Sequence, residues 1–269
     1  MGFNNIDEIE ELVKAFSELP EVLAITLGGS RTSGYCDKDS DYDVYVYSEE
    51  PVPASKRKAI LMKYCQYTEF ENTFWEEEDD CILNSGTVIE IIYRNCNAII
   101  EQLESTVING NANNGYTTCM WSNVMSSIIL YEKDEMYSNL KERFDIPFPA
   151  ILKKNIIRKN YQLLTGYIPS FDSQIRKAYK RNDMVSVNHR ITEYLASYFD
   201  LIFAANEMLH PGEKRMLTIA LERCEYLPKN MEDISNLLKN MFDEEKMTYY
   251  LKQLEENMTK FIIKYSLLP

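Results

Sequence analysis

Apolar positions change period several times over the first 150 residues and then hold a single period to the end of the chain. Ile6, Ile9, Val13 and Phe16 recur at three-to-four spacing, which predicts an amphipathic helix over 5–19. Asn5 and Glu8 stand as a capping box for it, and Pro20 stops it. The run from Val22 to Leu27 is β-rich and breaks at Gly28-Gly29. Further strands are predicted over Tyr42–Tyr47 and Thr87–Tyr93, the latter entered through Asn84-Ser85-Gly86. Between them, after Pro51 and Pro53, Ala54–Tyr67 reads as a helix. The acidic run Glu76-Glu77-Glu78-Asp79-Asp80, behind Phe70, Phe74 and Trp75, reads as a solvated loop. Its alternative is a loop that lines a pocket, with Trp75 as a stacking surface and the acids attracting amines. A helix over 97–107, an Asn/Gly-rich loop over 109–115, a helix to 127 with Trp121 in its core face and a strand over 128–131 complete this half.

Ile146-Pro147-Phe148-Pro149 is the best boundary, because two prolines spaced by one residue exclude regular helix. Beyond it the periodicity is helical near 150–165, 171–181, 183–209, 213–225, 231–241 and 244–266. The pattern therefore predicts an α/β domain with a short mixed sheet over 1–146 and an α-helical bundle domain over 147–269. The longest helix carries Ser186, Arg190, Glu193, Ser197 and Asp200 along one line. That line faces either a cleft, where Arg190 meets a phosphate and the acids hold a substrate, or solvent. Lys214 and Arg215 after His210-Pro211-Gly212 read either as phosphate contacts or as part of a helix-to-helix turn.

The densest chemistry lies between Leu27 and Val46. Ser30 after Gly28-Gly29 is placed as a helix N-cap, so free N–H groups there suit a phosphate. Asp41 and Asp43 bracket Tyr42 at a strand start, and residues two apart share a face. Two carboxylates side by side repel unless a cation lies between them, and hard oxygen donors favour Mg²⁺ or Mn²⁺. Glu90 is the one charge inside its β-branched run, where burial is costly unless it binds something.

Taken in order, Leu27, Gly28-Gly29-Ser30, a spacer and Ser40-Asp41-Tyr42-Asp43-Val44 resemble the signature of the nucleotidyltransferase superfamily. That superfamily includes DNA polymerase beta and the aminoglycoside and lincosamide nucleotidyltransferases. The resemblance implies a nucleotidyltransferase fold for the first domain and Mg²⁺ (or Mn²⁺) on Asp41 and Asp43. Glu90 takes the place of a third carboxylate, as metal ligand or general base, where many members have Asp. Gly28, Gly29, Ser30 and Arg31 are implied as the nucleotide-phosphate contacts. The implied reaction moves a nucleoside monophosphate, AMP from ATP first, to a hydroxyl of a small aminoglycoside- or lincosamide-like acceptor. Trp75, Arg190, Glu193 and Lys214 are the candidate acceptor contacts. Transfer to a protein hydroxyl, as in toxin–antitoxin pairs, and a non-catalytic nucleotide-binding regulator are the alternatives.

Composition narrows the partners. The net charge is −13, and residues 1–100 hold 20 Asp/Glu against 8 Lys/Arg while 101–269 hold 22 against 21. A nucleic-acid enzyme would present a basic track, so no nucleic acid is expected, and the acid excess suits a cationic acceptor. Six scattered cysteines without a C-x-x-C pair and two histidines argue against zinc and a disulfide framework. No apolar run reaches membrane-spanning length, and the acidic N-terminus lacks a signal-peptide pattern, so a cytoplasmic protein is expected, either monomer or homodimer.

Overall fold

Ile9 and Phe16 of the predicted stripe are buried together with Leu12, while Val13 is half-buried, and this face organises the first part of the computed structural model. The structure describes residues 6–33, 41–74 and 76–268. Asn5, Trp75 and Cys36 lie outside the described residues. The strands are β1 (Val22–Gly28), β2 (Tyr42–Ser48), β3 (Cys65–Asn72), β4 (Glu77–Leu83), β5 (Val88–Asn95) and β6 (Ile128–Glu132), in one sheet ordered β3-β4-β5-β2-β1-β6. Only β2 and β5 pair in parallel; the other neighbours are antiparallel. The helices of this part are α1 (Ile6–Ser17), α2 (Ser30–Ser33), α3 (Ala54–Tyr64), α4 (Cys96–Leu103), α5 (Cys119–Ser126) and α6 (Met136–Phe144).

Alternation gives the sheet two unlike faces. Val44 and Val46 of β2 and Ile89 and Ile91 of β5 join Ile9, Leu12, Phe16 and Leu61 in a single apolar core, so α1 and α3 cover that face. The opposite face carries Asp43, Tyr45 and Tyr47 on β2 and Glu90, Ile92 and Arg94 on β5, matched pair by pair across the parallel ladder. Its far end is closed: Tyr137 of α6 packs on Tyr47 at 5.0 Å between ring centroids, and Asn123 of α5 donates to the Tyr45 hydroxyl at 3.0 Å. Its near end carries the carboxylates.

Two expectations fail in this half. The helix predicted over 54–67 stops at Tyr64, and Cys65–Asn72 becomes β3, where Tyr67, Thr68 and Phe70 favour the extended form. The acidic run is no solvated loop; Glu77–Leu83 is β4, an interior strand between β3 and β5. Basic and hydroxyl side chains make this possible. Arg94, itself buried over the Tyr45 ring at 3.8 Å, grips both Glu76 oxygens at 2.8 and 2.6 Å. Arg57 pairs with Glu77 at 2.8 Å, and fully buried Asp79 accepts from the Tyr93 hydroxyl and the Glu71 amide, both at 2.8 Å.

The chain forms two units, Met1–Glu104 with Asn123–Ile146, and Ser105–Ser122 with Pro147–Pro269. Segment 105–122, which the sequence reading places in the N-terminal domain, thus belongs to the second unit. That unit is helical: α7 (Ala150–Tyr161), continued by a π turn over Gln162–Gly166, then α8 (Phe171–Lys180), α9 (Met184–Ala205), α10 (Met216–Arg223), α11 (Asp233–Lys239) and α12 (Glu244–Lys264). Most end a few residues inside their predicted limits. The polar line of α9 divides: Arg190 and Glu193 are partly exposed, whereas Ser197 and Asp200 are interior. Asp200 accepts from the Thr117 amide (3.0 Å), the Thr117 hydroxyl (2.7 Å) and Asn160 Nδ2 (2.9 Å), and Asn160 Oδ1 in turn accepts from the Gly115 amide. Gly115, at φ +90°, lies so close to α9 that a Cβ there would stand 2.8 Å from that of Ala196. Trp121 is buried against Phe148, as expected of a core residue.

His210 is buried between Tyr116 and Phe203, its Nδ1 accepting from the Gly212 amide, so it serves packing and not a phosphate. Burial pushes its pKa down from 6.5 to about 4. The folded state then binds fewer protons than the unfolded one between these values, so His210 contributes stability above pH 6.5 that is lost as pH falls towards 4. Replacing it by the non-titrating glutamine in His210→Gln removes this dependence. On going from pH 6.5 to 4, the unfolding free energy of the variant, followed by urea denaturation, should gain roughly 3 kcal/mol relative to wild type. A difference that stays constant with pH would show that His210 is not buried in neutral form.

Candidate active site

β1 ends opposite the start of β2, with Gly28 paired to Asp43, so the Gly28-Gly29 turn stands directly over that carboxylate. Gly29 has φ +67°, and a Cβ built on it would fall 1.6 Å from Asp43 Oδ2. Two independent constraints, dihedral and space, therefore demand glycine there. The chain then enters the one-turn helix α2, whose first residue is Ser30; the Gly29 carbonyl accepts from the Thr32 amide and hydroxyl. Gly29 thus occupies the boundary position expected of Ser30. Arg31 lies with its guanidinium 3.7 Å from the Tyr42 ring centroid, and its Nε donates to the Asp41 carbonyl at 2.9 Å. Arg31 is thereby tied to the backbone of Asp41.

On the other side of β2, Glu90 of β5 is the register partner of Asp43. Its carboxyl is pushed up to about 7, first by burial, then by the charges of Asp41 and Asp43, a hydrogen bond to Asp41 and the charge of Asp80. Asp41 and Asp43 therefore stand within electrostatic reach of Glu90. Among the described residues no three His, Cys, Asp or Glu side chains already stand as a metal-holding group. The donor set nevertheless fits a divalent cation by its chemistry: all donors are hard oxygens, and the repulsion from Asp41 and Asp43 that helps to raise the Glu90 carboxyl is what a cation would relieve.

The remaining candidates sit elsewhere. Arg190 and Glu193 are one turn apart on α9, and Lys214 is exposed before α10, all three in the second unit. Trp75 is outside the described residues. Sequence reasoning named Glu78 and Asp80 only as part of a loop, and missed that Asp80 pairs with Glu90 from the other flank, with Glu78 two residues before it. A signal was present: the acids run without a break into Cys81-Ile82-Leu83, a strand-like ending that a solvated loop has no reason to carry.

Residues 9–108 match the family model of the nucleotidyltransferase domain, which spans the glycine turn, both aspartates and Glu90. The chain carries a nucleotidyltransferase domain. Its mixed sheet with helices has the nucleotidyltransferase fold, and a helical region follows. Among solved structures, the chain is similar to a nucleotidyltransferase-like protein from Exiguobacterium sibiricum (14% identity, 96% of this chain and 78% of that one, TM-score 0.47). It is similar also to spectinomycin adenyltransferase AAD(9) from Enterococcus faecialis with ATP and spectinomycin (12% identity, 96% and 100%, TM-score 0.34). A third is an aminoglycoside 6-adenyltransferase from Bacillus subtilis (10% identity, 94% and 90%, TM-score 0.27). Comparison with curated proteins finds no match. Among the described residues no helix is long and apolar enough to cross a membrane.

The contact of Gly29 with Asp43 generates a stability prediction for the nucleotidyltransferase domain. Gly29→Ala should cost roughly 2–4 kcal/mol in urea unfolding, from the positive φ plus the clash. In an Asp43→Ala background the same change should cost only about 1 kcal/mol, the φ strain alone, since coupled neighbours are non-additive. Equal costs in both backgrounds would mean that the turn does not rest on the Asp43 carboxylate.

Proposed function

We propose that this nucleotidyltransferase domain transfers AMP from ATP to a hydroxyl of a small, amine-bearing acceptor. The observation that carries the reading is the convergence of the Asp41, Asp43 and Glu90 carboxylates under the Gly28-Gly29 turn, with Arg31 tied to Asp41. Asp41 and Asp43 are the residues that would hold a divalent cation, with Glu90 beside them. When bound, such an ion neutralises charge on the triphosphate and on the departing pyrophosphate. Gly29, Ser30 and Arg31 hold the phosphates from the glycine side, through backbone N–H groups and the guanidinium. Glu90, whose carboxyl changes charge near neutral pH, takes the proton from the acceptor hydroxyl as its oxygen bonds to the α-phosphorus and the bond to pyrophosphate breaks. The 20-to-8 acid excess in residues 1–100 supports a cationic acceptor over a polyanionic one.

Pyrophosphate release with Mg²⁺, each nucleoside triphosphate and a panel of aminoglycosides and lincosamides tests the reading. Release should depend on ATP and on one panel member. Asp41→Asn should lower it by about three orders of magnitude or more without unfolding the protein, in the range of lost electrostatic and metal contributions. Glu90→Gln should cost about two to four orders of magnitude and abolish the acid limb of the pH–rate profile. Undiminished turnover by Asp41→Asn would sink the assignment.

A further inference from the structure

The two glycines of the turn give room to two different side chains of one strand. Asp43 and Tyr45 lie two apart on β2 and so share a face; Gly29 stands against the first and Gly28 against the second. A Cβ on Gly28 would fall 2.4 Å from Tyr45 Cε2 and 3.2 Å from its Cδ2, with Ser127 Oγ at 3.1 Å. Gly28 closes β1 without a positive φ, so glycine is demanded there by space and not by the backbone dihedral. Both glycines are therefore seated on β2, one on a carboxylate and one on an aromatic ring.

A tyrosine ring beside a glycine can ordinarily swing away from an added methyl. Tyr45 is held from two sides. The Arg94 guanidinium covers its ring at 3.8 Å from the centroid, and Asn123 Nδ2 donates to its hydroxyl at 3.0 Å. The two holders are joined to each other, for Arg94 Nη1 donates to Asn123 Oδ1 at 2.6 Å, which closes the circuit. Arg94 is fixed further by both Glu76 oxygens and by the Tyr47 hydroxyl at 3.3 Å. The Asn123 carbonyl accepts from Ser127 Oγ at 2.7 Å, the same oxygen that flanks Gly28. Tyr45 and Arg94 are both buried, so the circuit is made away from water, where such contacts are strongest. Filling space alone calls for no guanidinium here, since a buried charge is costly to desolvate.

Resting on the reading that the glycine turn holds nucleotide phosphates, we infer that Tyr45 is a positioning residue for ATP. Its ring, locked by Arg94 and Asn123, sets where the Gly28-Gly29 turn stands and so where the N–H groups of the turn meet the triphosphate. Asp43 is a poor rest for this purpose, because a carboxylate that also serves a cation changes partner as the nucleotide comes and goes. Tyr45 acts through Gly28 and touches no substrate. A shift of about 1 Å at such a turn is enough to spoil its hold on the ligand.

Calorimetric titration of the full chain with ATP in the presence of Mg²⁺ tests this, with urea unfolding of each variant to establish that it is folded. Tyr45→Leu keeps apolar volume but loses the ring, and should weaken ATP binding by about tenfold or more. Tyr45→Phe keeps the ring and should stay within about threefold of wild type. Gly28→Ala should weaken binding about tenfold, because its methyl lifts the turn off the ring, yet add no more than about threefold in the Tyr45→Leu background. If Tyr45→Leu does not fold, Arg94→Lys replaces it: lysine keeps a charge for Glu76 without the planar cover on the ring, and should weaken ATP binding about threefold or more. A ring that only fills the core would shift the urea midpoint and leave the ATP affinity of the folded protein unchanged. Unchanged affinity in the folded Tyr45→Leu or Arg94→Lys protein, or equal losses from Gly28→Ala in both backgrounds, overturns the inference and leaves the nucleotide reading standing. Absence of ATP binding by the wild type overturns that reading, and the inference with it.

Discussion

Asp43 stands beside Glu90 because β2 and β5 run parallel and in step, and no other neighbouring pair in this sheet is parallel. Parallel pairing requires a crossover, and here it consists of α3, β3 and β4. The crossover does more than return the chain. It lays β4 on the far side of β5 and so surrounds Glu90 with acids from both flanks. The high proton affinity of Glu90 is a consequence of that one ladder.

The same arrangement explains why the sheet tolerates so much charge. Its α1/α3 face is mainly an apolar core, with Arg57 of α3 paired to Glu77 and Asp79 on its β4 side, and it holds the strands in place. The opposite face is neutralised in part by Arg94, which lies over Tyr45 and grips Glu76, while Asn123 and Tyr137 hold the tyrosines of its closed end. The carboxylates of Asp43 and Glu90 lie at the open end, next to the glycine turn. In this fold stability is concentrated on one side of the sheet and reactive charge on the other.

Much of this was legible from residue order. The glycine pair, the two aspartates in alternation and the charge inside a β-branched run all act through local geometry, and local geometry is what a pattern of residue types records. Ile9 and Phe16 of the first helix stripe were legible for the same reason. The acidic strand was not, because its formation depends on partners far away in sequence: Arg57, Tyr93 and Arg94 neutralise Glu76, Glu77 and Asp79 only after the sheet has formed. Asp200 misled in the same way. A polar residue on a helix reads as surface until Thr117, some eighty residues earlier, supplies its hydrogen bonds.

The dependence of Asp200 on Thr117 also bears on the order in which the chain can fold. As synthesis proceeds from the N-terminus, segment 105–122 leaves the ribosome before any of the helices it joins. Gly115 and Thr117 must wait for Asn160 and then Asp200 before their amides have partners. The first unit, meanwhile, resumes at Asn123 and needs β6 to finish its sheet edge. The chain is therefore interleaved, and neither unit corresponds to one unbroken stretch. Cutting between 146 and 147 would leave the helical part with a buried aspartate that had lost the Thr117 amide and hydroxyl and a buried asparagine that had lost the Gly115 amide.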